Sequence, residues 1–467
     1  MSVSFWKRSH VDKPTRRHFL TAGAMGLGGL TLAGLLRAES AQGIGSSRRA
    51  IINIHLDGGP PQMDTIDMKP LAPAEVRGEF NPIATNLTGF QICELMPKLA
   101  TIANRFAFVR SLVGSTGRHD AFQCQSGFAV NDLAAFGGRP AMGCVVSKLR
   151  GASTDIAPAF VDLMQGRPLA RDSARPGFLG PTYKPFRPDI SQMFDRPLED
   201  GMKKELAALG GDHATSLAMH GALNADRLSS RQALLDGLDR VARYLDASGE
   251  MNAVDTFHQQ ATSILTSGRF AKAIDLSNVS QHERARYTAP VSRVDRFVTA
   301  DSHRAMQKFL LARRLIEAGV RIVSVSFSDF DTHTANFKRM RHMLPILDFG
   351  LHALIMDLEE RGMLDEVVII AWGEFGRTPK INNQGGRDHW PQVGPAFLAG
   401  GGLKVGQVIG STDRTAAAAT SRPISYKDVF ATLYHAIGIH PHRVTLDDPS
   451  GRPHYLLDEG KTIREVI

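Results

Sequence analysis

The run Val367–Trp372 (VVIIAW) is apolar throughout, so a strand formed here must be covered on both of its faces. Comparable runs stand at 50–56, 106–113, 319–327 and 395–403. Helical patterns lie between these runs or after the last one, at 95–105, 119–130, 344–362 and 425–439. Strands that alternate with helices predict an α/β fold, with a mostly parallel central sheet and helices on both faces.

The stretch between about residues 198 and 318 has helical periodicity and no strand pattern. Its helical segments at 202–211, 231–248 and 303–319 end at or just before glycines, which suit the ends of helices. We therefore expect one domain over 41–467 that carries a helical insertion at about 198–318.

The net charge of +8 is distributed unevenly along the chain. Residues 1–40 hold six Lys or Arg and two acids, so the remaining residues carry only a mild positive excess. A nucleic-acid-binding surface needs more concentrated positive charge, and we expect no nucleic-acid partner.

The three cysteines are Cys93, Cys124 and Cys144, and they show neither a CxxC nor a zinc-ribbon spacing. Such a set does not predict a disulfide framework. We expect them to be small, buried hydrophobic residues.

The N-terminal segment is typical of an export signal. Twin arginines, Arg16 and Arg17, precede an Ala- and Gly-rich run at 21–36, and small residues follow at Ala38 and Ser40. This arrangement resembles a twin-arginine signal, so we expect the twin-arginine export machinery to deliver the folded chain to the periplasm or another extracytoplasmic location. The alternative is that the segment stays uncleaved and anchors the protein in a membrane.

Polar residues follow four of the predicted strands, where each strand leaves the sheet. In a parallel sheet these carboxyl ends share one edge, which is where ligands bind in open α/β folds. The residues concerned are Asp57 after 50–56; Ser115, Thr116, Arg118 and His119 after 106–113; Asp329, Asp331 and His333 after 319–327; and Glu374, Arg377, Arg387, Asp388 and His389 after 367–372. We therefore predict one site that combines the four strand ends.

A metal site is predicted at the carboxyl end of the strand 319–327. Asp329, Asp331 and His333 are spaced two residues apart, so in an extended backbone their side chains share one face. Two carboxylates and an imidazole on one face suit Zn, Mn, Mg or Ca. The alternative for either Asp is that it caps the next helix.

The loop after Trp372 is predicted to complete the metal site. Glu374 leaves a buried strand, and glycines later in the loop let His389 return to the same place. Asp388 either binds the ion as well or orients His389. If His333 and His389 bind one ion, their ring nitrogens should lie within about 4 Å of each other.

Anion binding and nucleophilic attack are predicted from neighbouring residues. Arg118, Arg377 and Arg387 suit a tetrahedral oxyanion such as phosphate or sulfate, with surface ion pairing as the alternative. Ser115 or Thr116 would supply a hydroxyl ionised by a bound metal. The alternative for both hydroxyls is to cap the following helix.

Several segments together resemble one protein family. They are LDGGPPQMDTIDMKP, RHDAFQCQSG, GFLGPTYKPF, FDTHTANF, EFGRTPKIN and GRDHWP, in this order along the chain. The family is domain of unknown function 1501, a group of exported bacterial proteins placed in the alkaline-phosphatase-like superfamily with the sulfatases. The resemblance implies an alkaline-phosphatase-like fold and a metal-dependent hydrolase of small phosphate or sulfate esters. The alternative is a non-catalytic periplasmic binding or scaffold protein with a degenerate metal site.

The resemblance also implies roles for individual residues. The positions that match the superfamily's metal ligands are Asp57, His333 with Asp331 or Asp329, Glu374 and His389. Phe375 stands where the superfamily has a further His, so one or two divalent ions are expected. His119 stands where the superfamily carries its nucleophile turn, which makes it a third catalytic candidate beside Ser115 and Thr116.

Export leads to the first testable prediction. Changing Arg16 and Arg17 together to Lys should leave the protein in the cytoplasm, because the export pathway recognises the arginine pair. Cell fractionation compares the double variant with the unchanged protein. Normal delivery of the variant to the periplasm would contradict the export hypothesis.

Overall fold

The computed structural model describes residues 49–152, 155–164, 173–188, 190, 193, 263–264, 267–290, 297 and 299–467. Within these residues the central sheet contains β1 (Ala50–Asp57), β2 (Phe106–Val113), β3 (Phe160–Leu163), β4 (Ile322–Ser328), β5 (Val367–Trp372), β6 (Gly394–Gly400), β7 (Gln407–Ile409) and β8 (Ile424–Ser425). The helices are α1 (Ala74–Arg77), α2 (Pro97–Thr101), α3 (Gln123–Ser126), α4 (Met142–Arg150), α5 (Arg269–Ile274), α6 (Gln281–Arg286), α7 (Gln307–Glu317), α8 (Asn336–Glu360) and α9 (Tyr426–Ala436). Outside the sheet, two-stranded ribbons pair Pro82–Ala84 with Gln91–Cys93, Gly376–Arg377 with His389–Trp390, Ser411–Thr412 with Ala419–Ser421, and Thr445–Asp447 with Pro453–Tyr455.

The strand order brings the predicted site residues to one edge of the sheet. The strands lie in the order β7–β2–β6–β5–β1–β4–β3, and β8 pairs with the end of β2. β1 is parallel to both of its neighbours, β4 and β5. β6 is antiparallel to β5 and to β2, so β2 again runs in the direction of β5. The carboxyl ends of β1, β2, β4 and β5 therefore share one edge, and the predicted mostly parallel sheet is confirmed.

Helices cover both faces of the sheet, as predicted. On one face α2, α7 and α8 belong to a core that includes Ile52, Val325 and Ile369. On the other face α4 and α9 belong to a core that includes Ile51 and Ile370. Neighbouring strand residues contribute to opposite cores because successive side chains in a strand point to opposite faces.

The second face becomes polar toward the carboxyl ends of β1 and β4. The buried residues there are Asn53, His55 and Asp57 on β1, and Ser324, Ser326 and Ser328 on β4. Buried polar groups need partners inside the protein. The Asn53 amide donates to the Cys124 carbonyl at 2.7 Å and accepts from the Trp372 indole at 2.8 Å. This polar face leads along both strands to the edge where the site is predicted.

Some predicted elements differ from the observed ones. The helix expected at 95–105 ends at Thr101, and a 3₁₀ turn follows it. The helix expected at 119–130 is only the four residues of α3, because Gly127 has a φ of 82° and ends it. The strand expected at 395–403 is β6, which runs antiparallel. The sequence patterns do not predict β3, β7 or β8, none of which exceeds four residues.

Parts of the sequence predictions lie outside the described residues, namely the export signal at 1–40 and the helices at 202–211 and 231–248. Three described helices, α5, α6 and α7, fall within 198–318. The domain boundaries and the extent of the helical insertion stay predictions.

The structure also bears on the cysteines and on membrane-spanning helices. The three cysteines are free and buried, as predicted. Among the described residues, no helix combines the length and the apolar character that a membrane span requires.

Candidate metal centre

The loop after β5 returns to the sheet edge through a short ribbon. Gly376 pairs with Trp390, and Arg377 pairs with His389. The Gln62 side chain fixes this ribbon, because it accepts from the Arg377 N–H at 2.9 Å and donates to the Arg377 carbonyl at 3.0 Å. The predicted return of the loop is therefore confirmed.

Four side chains, which we call the outer cluster, converge at this edge: His119, Asp331, His333 and His389. Nε2 of His333 lies 3.1 Å from Nε2 of His389 and 3.2 Å from Oδ1 of Asp331. Nε2 of His119 lies 3.3 Å from Oδ2 of Asp331. One ligand atom from each residue lies within 4.8 Å of the others. The predicted meeting of His333 and His389, 56 positions apart in the chain, is confirmed.

Each imidazole of the outer cluster is oriented by an oxygen that faces its Nδ1. The pairs are His333 with Oδ1 of Asp388 (2.6 Å), His119 with Oε1 of Glu374 (3.1 Å), and His389 with the carbonyl of Gly117 (3.2 Å). An oxygen acceptor favours a proton on Nδ1, so Nε2 is the nitrogen that would bind a metal ion in place of a proton. Metal-binding histidines are oriented in this way, and these residues fit a divalent ion. Asp388 thus orients His333 rather than His389.

The electrostatics of the outer cluster favour positive charge. Burial alone would lower the pKa of His119, but its hydrogen bonds to Asp331 and Glu374 raise that pKa to about 9. Burial opposes ionisation of Asp331, yet hydrogen bonds from His119 and His389 and the charge of Arg377 lower the pKa of this carboxyl. A divalent cation at the same place would gain from the same carboxylates.

Arg377 holds Asp331 in position. Its fully buried guanidinium donates to Oδ1 of Asp331 at 2.8 Å and to the carbonyls of Gly58, Gly59 and Arg387. These contacts give Arg377 a structural role, which differs from the predicted binding of a substrate oxyanion.

Arg387 is turned into the protein interior. Its Nε and Nη2 donate to the two carboxylate oxygens of Asp64 at 2.8 and 3.0 Å, and Nη2 also donates to the Val76 carbonyl at 2.8 Å. Both partners of this bidentate ion pair are buried. The predicted role at the oxyanion is therefore replaced by an ion pair that anchors the loop to the segment after β1.

Arg118 and Thr116, which are close to His119 in the chain, are exposed and line a cavity of about 360 Å³. The other lining residues are Asp120, Gln123, Ala129, Val130 and Asn131. Thus Arg118 is the predicted oxyanion-binding arginine whose side chain faces a space that a ligand can enter.

The two predicted hydroxyl nucleophiles have different surroundings. Oγ of Ser115 donates to the Glu374 carbonyl and accepts from the Gly117 N–H at 3.0 Å, so it serves the backbone. Neither Ser115 nor Thr116 caps α3, which has Phe122 at its N-cap and no side-chain cap. The capping alternative is wrong for both, and Thr116 is the hydroxyl that lines the cavity.

Asp329 does not join the outer cluster. Its Oδ2 accepts from Arg339 at 2.9 Å, and its Oδ1 accepts from the N–H of Asp331 at 3.0 Å. The backbone turns here, so the predicted common face of Asp329, Asp331 and His333 holds only for the last two. The helix-cap alternative fails as well, because Ala335 is the N-cap of α8.

A second group, which we call the inner cluster, consists of His55, Asp57 and Glu374, all buried. Nε2 of His55 lies 3.3 Å from Oε2 of Glu374 and 4.0 Å from Oδ1 of Asp57. Oδ2 of Asp57 accepts from the Ser328 hydroxyl at 2.9 Å, and Oε1 of Glu374 accepts from the Gly58 N–H at 2.9 Å. The expected approach of Asp57 and Glu374 at the strand ends is confirmed, since their ligand atoms lie within 4.8 Å.

The sequence patterns do not predict that His55 belongs to the inner cluster. It lies inside an apolar run, where a single polar residue is easily assigned to the strand interior. The available signal is its spacing, because a residue two positions before Asp57 in a strand points to the same face. Phe375 is buried and stacks on His389 with 4.2 Å between ring centroids.

A family model described as "Protein of unknown function (DUF1501)" matches residues 48–467. No curated protein matches the sequence.

Solved structures that resemble this chain include a lipoteichoic acid synthase from Listeria monocytogenes, with 10% identity, 86% of this chain and 78% of that chain covered, and a TM-score of 0.35. PsFucS1 sulfatase from Pseudoalteromonas sp. has 12% identity, coverages of 86% and 70%, and a TM-score of 0.34. A phosphonate monoester hydrolase from Silicibacter pomeroyi has 11% identity, coverages of 90% and 76%, and a TM-score of 0.32.

The buried ion pair of the loop leads to a stability prediction. Arg387→Met should lower the free energy of unfolding by about 3–5 kcal/mol, because Asp64 would stay buried without its partner. The control is Arg341→Met, which breaks a surface pair with Glu79 (2.7 Å) and should cost about 1 kcal/mol or less. Urea unfolding measures both losses. Equal, small losses would contradict the anchoring role of Arg387.

Proposed function

We propose that this chain, which belongs to the family described as Protein of unknown function (DUF1501), is a metal-dependent hydrolase of phosphate or sulfate esters. The observation that carries the proposal is the outer cluster, in which three oriented imidazoles and one carboxylate converge. Surface carboxylates often gather without a ligand, but three imidazoles with their Nε2 atoms toward one carboxylate suit a transition metal.

The proposed ligands are three imidazole nitrogens and one carboxylate oxygen. Imidazole favours Zn over Mg or Ca, and a carboxylate is compatible with Zn and with Mn. When bound, the ion would polarise an ester oxygen and lower the pKa of a hydroxyl or water. The side chain of His333 is 46% exposed, so the cluster is open to solvent on that side.

The residues around the ion have separate proposed roles. Asp388 and Glu374 orient His333 and His119, while Arg377 keeps Asp331 ionised and fixed. These groups act through the ligands, and none of them needs to touch the substrate.

The substrate would enter beside Arg118. Its exposed guanidinium would bind the phosphate or sulfate oxygens, and Thr116 on the same cavity wall would supply the attacking hydroxyl. A volume of about 360 Å³ suits a small molecule. We therefore propose a small phosphorylated or sulfated substrate.

The proposed place of action is the periplasm or another extracytoplasmic compartment. It rests on Arg16, Arg17 and the apolar run after them. Contact with a membrane would follow only if the signal segment remains attached.

A second candidate is a non-catalytic binding or scaffold protein. The observation that favours it is Phe375, an apolar residue where the superfamily places a metal-binding His. Such a protein would bind at most a structural ion and would not hydrolyse esters.

Removal of the carboxylate that orients His333 tests the hydrolase. Asp388→Ala should weaken metal binding by about 10–100-fold, because such orienting partners contribute that much to metal affinity or activity. Hydrolysis of p-nitrophenyl phosphate and p-nitrophenyl sulfate by Zn- or Mn-loaded protein should fall with it when metal is limiting. Titration calorimetry measures the affinity, and product absorbance measures the rate.

The control is Glu79→Gln, which removes an exposed acid that pairs with Arg341 away from the cluster. It should leave both metal affinity and hydrolysis unchanged. Metal binding by Asp388→Ala as tight as in the unchanged protein would contradict the assigned centre. Metal binding without hydrolysis of any phosphate or sulfate ester would favour the scaffold.

A further inference from the structure

His55 of the inner cluster is a buried polar residue whose ring nitrogens are not satisfied by hydrogen bonds within the described part of the chain. The side chain is completely buried in the middle of the sheet. Neither of its ring nitrogens has a hydrogen-bond partner among the described residues. A buried polar group in this condition is costly, and buried polar side chains are nearly always satisfied.

A second unpartnered atom lies directly opposite. Oε2 of Glu374 is buried and also has no hydrogen-bond partner among the described residues. It is 3.3 Å from Nε2 of His55, and Oδ1 of Asp57 is 4.0 Å from the same nitrogen. Ligand atoms from the three residues thus lie around one point, within 4.8 Å of one another.

The second oxygen of each carboxylate, Asp57 and Glu374, contacts groups outside the inner cluster. The Ser328 hydroxyl donates to Oδ2 of Asp57. The Gly58 N–H donates to Oε1 of Glu374, and Nδ1 of His119 lies 3.1 Å from that same oxygen. Each carboxylate therefore presents its remaining oxygen toward His55, which is how outer partners orient the ligands of a metal.

We propose that His55 is a metal ligand, which completes with Asp57 and Glu374 a second, buried divalent-cation site. His55 lies on β1 two residues before Asp57, so both side chains lie on the same face of the strand and reach Glu374 from β1.

The ligand set defines the class of ion. One imidazole nitrogen and two carboxylate oxygens suit Zn²⁺ or Mn²⁺, and the imidazole disfavours Mg²⁺ and Ca²⁺. Two negative charges from Asp57 and Glu374 balance one divalent ion, so the buried site would be neutral when loaded. The alternative is that His55 faces Glu374 without an ion between them.

The site does not depend on ester hydrolysis, so it goes beyond the proposed function. His119 is the residue that contacts both clusters, with Nδ1 near Glu374 and Nε2 near Asp331. Two ions bound on either side of its ring would therefore be neighbours.

Metal content per chain tests this inference. The protein is loaded with excess Zn²⁺ or Mn²⁺, passed through a desalting column, and analysed by inductively coupled plasma mass spectrometry. The unchanged protein should hold two ions. His55→Gln should hold one, and the double variant His333→Ala/His389→Ala should hold the other one.

A matched control is available in His342, another buried histidine, whose Nε2 lies 2.9 Å from the Asp301 carbonyl outside both clusters. His342→Gln should keep two ions. Asp57→Asn provides a second test of the inner cluster in case His55→Gln does not fold, because Asp57 belongs to the inner cluster alone, and this variant should also lose the inner ion.

The outcomes separate the two sites. The inner site would be overturned if the unchanged protein held one ion, if His55→Gln or Asp57→Asn retained that ion, and if the outer double variant lost it. One ion that depends on His55 and not on His333 and His389 would support the inner site and overturn the outer centre.

Discussion

Buried negative charge at the carboxyl edge of the sheet is the constraint on which the site depends. Asp57, Asp329 and Glu374 are buried there, and Asp331 is partly buried beside them. Carboxylates in such a place repel each other, or take up protons, unless cations or hydrogen-bond donors compensate them. The compensating contacts pair Asp329 with Arg339, Asp331 with Arg377 and His119, Glu374 with His119 and Gly58, and Asp57 with Ser328.

This compensation explains why separate strands must meet at one edge. His119 follows β2, whereas its partners Asp331 and Glu374 follow β4 and β5. β2 delivers His119 to the same edge because the antiparallel β6 lies between β2 and β5 and leaves those two strands with a common direction. The order of the sheet and the chemistry of the site are therefore linked through His119.

The sequence predicts the elements whose signal is local. The apolar runs that become β1, β2, β4 and β5 each form a strand, and the polar residues after them gather at one edge. The contact of His333 with His389 follows from that geometry. The two-residue spacing also predicts correctly that the side chains of Asp331 and His333 lie next to each other.

The sequence does not predict which buried polar residues pair with each other when they are distant in the chain. Arg387 and Asp64 are 323 positions apart, and no local pattern indicates that they pair. Asp329 leaves the predicted common face because Arg339, from the following helix, binds it. The sequence does not indicate the contact of His55 with Glu374, because the two residues belong to different strands.

Anomalous diffraction most directly tests whether the outer cluster holds a divalent ion. Crystals of Zn- or Mn-loaded protein are measured on both sides of the metal's absorption edge. We expect an anomalous peak about 2.0–2.2 Å from Nε2 of His119, His333 and His389 and from a carboxylate oxygen of Asp331. Metal-loaded crystals with no peak among these four residues, while their side chains keep the arrangement described above, would contradict that expectation.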